Sequence, residues 1–252
     1  MVTRPVHQAE NLCRLIESAG GCAIPWPVLE IKDPEDLEPA RRVIRDLGQF
    51  QMAIFISANA AERGFKLIRE AGRSLDAMQV AAVGKGTATS LKKAGVAHPL
   101  TPETDSNTEG LLALDALQTD KIAGQRVMIF RGVGGRELLA ETLRARGALV
   151  EYAEVYERVK PKADPKSLIA LWEQGQIDVI IVTSPEGLRN LIEMVSSKGR
   201  ERVLQTPLIV IGARMAAQAQ GRGFISTPIA VKDASDEGIL QGLLSWQAAT
   251  KK

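Results

Sequence analysis

The chain has 252 residues, enough for one large domain or two modest ones, and its 45% hydrophobic and 25% charged content is that of a globular protein. A net charge of only +2 leaves no global field to draw in nucleic acid or a membrane surface, and 4% aromatic content provides no base-stacking platform. With two cysteines (Cys13, Cys22) and two histidines (His7, His98), the one histidine that a catalytic triad needs beside its nucleophile is scarce and a histidine-rich metal centre is nearly excluded, so no metal site is expected.

The N-terminus shows no leader of basic, apolar and small residues, and no apolar run reaches membrane-spanning length, so a cytoplasmic protein is expected. Taken in chain order, apolar and β-branched runs predict strands at Met1–Thr3, Ala23–Pro27, Met52–Ile56, Val80–Val83, Val127–Phe130, Val150–Val155, Val179–Thr183 and Leu208–Ile211. Weaker runs lie at Ala97–Leu100 and Phe224–Thr227. Between them, segments such as AENLCRLIESAG (9–20) and RELLAETLRARG (136–147) place apolar residues at helical spacing and stop at a glycine. This alternation predicts an α/β architecture whose parallel sheets are covered on both faces. Prolines gather around PWPVLEIKDPEDLEP (25–39) and around VEYAEVYERVKP (150–161), a strand longer than its neighbours, and both stretches read as inter-domain linkers.

The chain also repeats itself. VTRPVHQAENLCRLIESAG (2–20) lies on IFRGVGGRELLAETLRARG (129–147) without a gap, placing Arg4 on Arg131, Glu10 on Glu137 and Gly20 on Gly147. The same offset lays FQMAIFISANA on IDVIIVTSPEG and pairs Ser57 with Ser184. After a slip of one residue, VAAVGKGTA falls on LIVIGARMA, pairing Gly84 with Gly212, and DSNTEGLL falls on DASDEGIL. Matches in constant order predict two similar domains, which the repeat alone would make contiguous halves, each a small doubly wound sheet.

In such sheets ligands bind at the carboxyl ends of the strands, where helix N-termini present open N–H groups. The residues following the predicted strands are Thr3-Arg4-Pro5, Ser57-Ala58-Asn59, Gly84-Lys85-Gly86-Thr87, Arg131-Gly132, Ser184-Pro185-Glu186-Gly187 and Gly212-Ala213-Arg214. Taken singly, these are what N-caps and tight turns require. Together, the recurring hydroxyls, glycines and cations predict a site for an anionic ligand held by backbone amides and arginine forks. RGVGGRE (131–137) is not a dinucleotide fingerprint, because Glu137 stands where the third glycine belongs, and no GK[ST] triplet supplies a phosphate loop. It reads instead as close backbone approach to a ligand at Gly135, with Arg131 and Arg136 nearby. Tyr156 is either a strand tyrosine packing its ring or a phenol facing a cleft, able to donate a proton to a departing group.

VTRP, FISANA, VGKGTA, RGVGGRE, EVYER and the late EGL boxes, in this order, resemble the uroporphyrinogen-III synthase family over essentially the whole chain. The resemblance implies two flavodoxin-like, doubly wound parallel-sheet domains joined by a two-stranded linker, the first discontinuous (1–33 plus 162–252) and the second spanning 34–161. It implies cyclisation of linear hydroxymethylbilane to uroporphyrinogen III, with inversion of the terminal pyrrole ring, loss of water and no cofactor. Tyr156 then resembles the tyrosine that assists loss of the hydroxyl. Ser57, Thr87 and Ser184 match cleft hydroxyl positions. Arg4, Asn59, Gly84, Lys85, Arg131, Gly135 and Arg136 complete a carboxylate-binding set. The second VGxxTA copy departs from the pattern as IGARMA, which adds Arg214 and leaves Met215 where a small or hydroxyl residue is usual. The expected partner is a polycarboxylate tetrapyrrole substrate bound by a monomer, with no nucleic acid and no membrane. The rival reading is a non-catalytic two-domain protein that binds or senses a small anion, since fold alone does not separate the two.

Overall fold

The computed structural model of the chain describes residues 1–195 and 197–250, in which short strands alternate with helices. The strands are β1 (Glu30–Lys32), β2 (Met52–Phe55), β3 (Gln79–Ala82), β4 (Arg126–Gly132), β5 (Leu149–Val159), β6 (Ile180–Val182), β7 (Leu208–Ile211) and β8 (Ile229–Val231). Every residue of β2 and β6 is buried, the signature of a parallel strand covered on both faces. Among the described residues no helix is long and apolar enough to cross a membrane. The chain divides into two compact units, Met1–Glu30 with Val159–Lys252, and Ile31–Arg158. These are not the contiguous halves that the internal repeat suggests by itself.

The 31–158 unit holds the sheet β5-β4-β2-β3, joined at its β5 edge by β1, with β5, β4, β2 and β3 mutually parallel. Ala81 of β3 makes one further parallel bridge to Leu100, so the expected strand Ala97–Leu100 shrinks to a single contact. In the other unit β6, β7 and β8 are parallel neighbours, and Val2 bridges both Ile181 of β6 and Pro25. The expected strands Met1–Thr3 and Ala23–Pro27 thus shrink to isolated bridges, with Val2 N donating to Ile24 O and Trp26 N to Val2 O, each at 2.9 Å. The expected strand Phe224–Thr227 moves to Ile229–Val231. Phe224 instead closes the preceding helix, its N–H on Ala219 O after Gly223 turns at φ +94. When segments are matched by the repeat, the orders Pro25–Val2–β6–β7–β8 and β5–β4–β2–β3–Leu100 are the same.

Successive residues of β6 enter different cores. Ile180 and Val182 pack with Trp26, Leu168 and Leu188, whereas Ile181 packs with Val2, Leu12 and Ile239. In the 31–158 unit, Met52, Ile54, Val127 and Ile129 pack on Leu111, Leu139 and Leu143. On the other face the rings of Phe55 and Phe130 stack, with centroids 4.4 Å apart. Gly64 lies against this pair, where a Cβ would come within 2.7 Å of Phe130.

The two EGL boxes fold alike. Asn107 Oδ1 accepts from Gly110 N at 2.7 Å, and Ser235 Oγ accepts from Gly238 N at 3.1 Å, each capping the helix that follows. At both glycines a Cβ would collide with the aspartate that opens the box, Asp105 or Asp233, which explains why glycine stands in each copy.

Candidate functional site

The strands β4, β2 and β3 lie side by side in register, Phe55 opposite both Phe130 and Ala82, so their carboxyl ends form one edge of the 31–158 unit. Beyond β2, Ser57 adopts an extended backbone and caps the helix Ala58–Glu70, its Oγ accepting from Ala60 N at 3.1 Å. The same Oγ lies 3.1 Å from the Tyr156 hydroxyl, and either oxygen can be the donor.

A bulge in the β4–β5 ladder brings Tyr156 there. Arg131 pairs with Glu154 but Gly132 pairs with Tyr156, skipping a residue, and Val133 N donates to Tyr156 O at 2.9 Å. The ring is 3% exposed and lies so close to Gly132 that a Cβ there would come within 2.7 Å of it. The Arg158 guanidinium stands 5.8 Å from the ring centroid. The phenol is therefore fixed at its ring, with its oxygen on the strand-end hydroxyl of Ser57. Such an arrangement can donate a hydrogen bond or a proton to a departing oxygen.

Arg131, expected to hold a ligand carboxylate, is 2% exposed and engaged inside the protein. Nε donates to Gly132 O at 3.3 Å, Nη1 to Glu137 Oε1 at 2.8 Å, and Nη2 to Gly135 O. Its guanidinium also lies 4.4 Å from the Tyr152 ring centroid and 3.7 Å from Glu154. The same guanidinium lies against Gly135, where a Cβ would come within 2.9 Å of Nη2. Arg4, its repeat partner, is half-buried, pairing with Asp236 and donating to Ala234 O at 3.2 Å. Both arginines thus hold loops of their own units.

Glu137 completes the cluster, its second carboxylate oxygen accepting from the Tyr152 hydroxyl. That hydrogen bond, and next the one from Arg131, hold its carboxyl below the usual carboxylate range. Burial, and then the Glu137 hydrogen bond, push the Tyr152 phenol above its ordinary value.

The remaining expected residues divide between the units. After β3, Gly84 opens the helix Lys85–Lys93 with no side-chain cap, Lys85 is exposed and Thr87 is buried in its first turn. Asn59 is half-buried in the first turn of the Ser57-capped helix, and Arg136 is exposed in the loop after β4. In the other unit, Ser184 caps the helix Pro185–Met194 through Gly187 N at 3.0 Å, repeating Ser57. Arg214 is exposed on the first turn of the helix Gly212–Gly221, while Met215 is buried. Glu137, Tyr152 and Asp236 were not anticipated as partners of the arginines. The repeated Arg–Glu spacing of RPVHQAE and RGVGGRE was a signal for the first of these. A groove of about 750 Å³ lies at the amino end of β3, lined in part by Arg69, Arg73 and His98. It holds no convergent buried polar pair like Ser57 and Tyr156, and parallel sheets place their sites at the opposite end.

The family profile described as Uroporphyrinogen-III synthase HemD matches residues 10–241. Uroporphyrinogen-III synthase of Escherichia coli strain K12 is 29% identical over 245 residues, covering 96% of this chain and 98% of that protein. The Salmonella typhimurium protein of the same name is 30% identical over 248 residues, with the same coverages. Among solved structures, a mutant uroporphyrinogen III synthase from the extremely thermophilic bacterium Thermus thermophilus superposes with a TM-score of 0.64 at 19% identity, covering 100% of this chain and 98% of that one. The Helicobacter pylori 26695 uroporphyrinogen-III synthetase gives 0.57 at 18% identity, covering 88% and 92%. At those identities the structures speak for the fold, and the sequence matches speak for the family over the non-catalytic alternative. The chain belongs to the uroporphyrinogen-III synthase family.

Proposed function

We propose that the chain cyclises linear hydroxymethylbilane to uroporphyrinogen III, inverting the terminal pyrrole ring and releasing water. The observation that carries this reading, beside family membership, is the Tyr156 hydroxyl held on Ser57 at the carboxyl end of β2. Loss of the substrate hydroxyl leaves an azafulvene cation. The Tyr156 O–H, with Ser57 as its partner, assists that departure by hydrogen-bonding the leaving oxygen. The cation then closes through a spiro intermediate that fragments and recloses. Because the pyrrole supplies much of this reactivity, the protein's main task is to hold the chain folded so that inverted attack wins over head-to-tail closure.

The substrate carboxylates are met by Lys85, Arg136 and Arg214 and by the open amides at Gly84. Ser57, Asn59, Thr87 and Ser184 lend polar contacts at the strand ends, and Arg4, Arg131 and Gly135 shape the loops that carry them. Exposure of the three cations and the missing side-chain cap at Gly84 support this assignment. We further read the chain as two flavodoxin-like domains, 1–33 with 162–252 and 34–161, joined by a two-stranded linker. The shared strand order of the two sheets supports this, since it follows the 2-1-3-4-5 pattern of that fold when the strands are numbered by the repeat. A monomer working in the cytoplasm without a cofactor completes the reading. Supplying enzymatically generated hydroxymethylbilane and resolving the oxidised porphyrins tests it: isomer III should dominate, and isomer I alone, formed at the uncatalysed rate, would sink it.

A further inference from the structure

We propose that Arg131, Glu137 and Tyr152 form a latch that positions Tyr156, and that Arg131 acts as a positioning residue that never meets the substrate. The proposal rests on the reading of Tyr156 given above. Arg131 grips the end of β4 and the segment that follows it at three points, the carbonyls of Gly132 and Gly135 and the carboxylate of Glu137. Tyr152 fixes the far oxygen of that carboxylate and lies beneath the guanidinium with its ring. The near end of the gripped segment is the wall of Tyr156. Gly132 lies flat against its ring, and Val133 N holds its carbonyl at 2.9 Å. The register shift that brings Tyr156 opposite Gly132 starts at Arg131 itself. Any movement of Gly132 is therefore passed to the phenol that reaches Ser57. Nε, Nη1 and Nη2 of this buried guanidinium each already donate to one of these partners.

The chain contains only two tyrosines, Tyr152 and Tyr156, so protein labelled with 3-fluorotyrosine gives two ¹⁹F resonances, and Tyr152→Phe leaves that of Tyr156 alone. Arg131→Lys keeps the charge but loses the planar fork. It should shift the Tyr156 resonance and lower kcat about tenfold, while KM stays within about twofold, because a displaced catalytic group costs turnover before binding. Glu137→Gln, whose side chain is half exposed, should show the same two changes at smaller amplitude with only a small fall in Tm, and it serves alone if the lysine variant does not fold. A tenfold rise in KM with kcat and the Tyr156 resonance unmoved would make Arg131 a substrate ligand and overturn the proposal. A resonance and kinetics both unmoved in Glu137→Gln would overturn it as well. The resonance arm needs no turnover. If the wild type forms no isomer III, the functional reading fails, while the latch is still decided by the position of the Tyr156 signal.

Discussion

At the scale of single residues, the two strand-end arginines show how far a sequence pattern carries. Arg4 and Arg131 stand at matched positions of the repeat, Arg131 at the end of β4 and Arg4 two residues beyond the Val2 bridge. In the structure both are paired with carboxylates of their own units. A cation at a strand end looks the same in sequence whether it faces a ligand or a carboxylate of its own chain, and the deciding partners, Asp236 for Arg4 and Tyr152 for the Glu137 that holds Arg131, are distant or in another strand. Tyr156 was legible as a candidate, but its Ser57 partner was not, because the contact depends on a bulge that only the β4–β5 ladder reveals.

The latch also has a definite pH range. The Glu137 carboxyl is lowered in the folded chain, so its contribution is present above the unfolded value of about 4.3 and is lost as pH falls through the lowered one. The Tyr152 phenol is raised, so its contribution is present below about 10 and is lost as pH rises through the raised value. The urea midpoint difference between wild type and Tyr152→Phe should therefore be flat from about pH 5 to 9 and shrink in acid. A difference that changed steadily through neutrality would mean that another group controls the cluster. Gly132→Ala should be more damaging than its size suggests, since the methyl enters the Tyr156 ring. A loss of about 1–3 kcal/mol of stability is expected from urea unfolding, and a neutral effect would show that the loop yields easily.

At the scale of elements, central parallel strands were easy to read, because burial on both faces makes them continuous apolar runs, and Leu208–Ile211 falls where its pattern placed it. Short outlying runs were not. Ala23–Pro27 and Ala97–Leu100, and Met1–Thr3 between Pro25 and β6, each contribute a single bridge residue, since whether a short run makes a ladder depends on the neighbour it meets. β1 was missed inside a proline-rich stretch that read as linker. The EGL boxes show the opposite case, in which a short motif has a local cause. Gly110→Ala and Gly238→Ala should each destabilise their unit, as both put a Cβ into the aspartate that opens the turn. Serine at Gly110 should be at least as harmful as alanine. If urea unfolding found either alanine variant as stable as wild type, the steric explanation of the motif would be wrong.

At the scale of the whole molecule, the repeat was visible and the chain path was not. Similar sequence in two halves says that two sheets are alike, and leaves open which strand of one half completes which sheet. The answer lies in β1 and β5, where the chain passes between Met1–Glu30, Ile31–Arg158 and Val159–Lys252. Because the 31–158 unit holds its own sheet and core, that segment expressed alone should unfold cooperatively in urea. A broad, non-cooperative transition would show that its core is incomplete.

The functional account turns on whether the chemistry takes place at the Tyr156–Ser57 pair. Its most direct test is the steady-state rate of isomer III formation by Tyr156→Phe, with the folded state checked by thermal unfolding. The variant keeps the ring that packs on Gly132 and loses only the hydroxyl on Ser57. A fall in kcat of about tenfold or more, with KM changed by less than about twofold and Tm preserved, is expected of a group that assists the leaving hydroxyl. An unchanged kcat would contradict it, leaving Tyr156 as a packing residue and the reaction centre elsewhere.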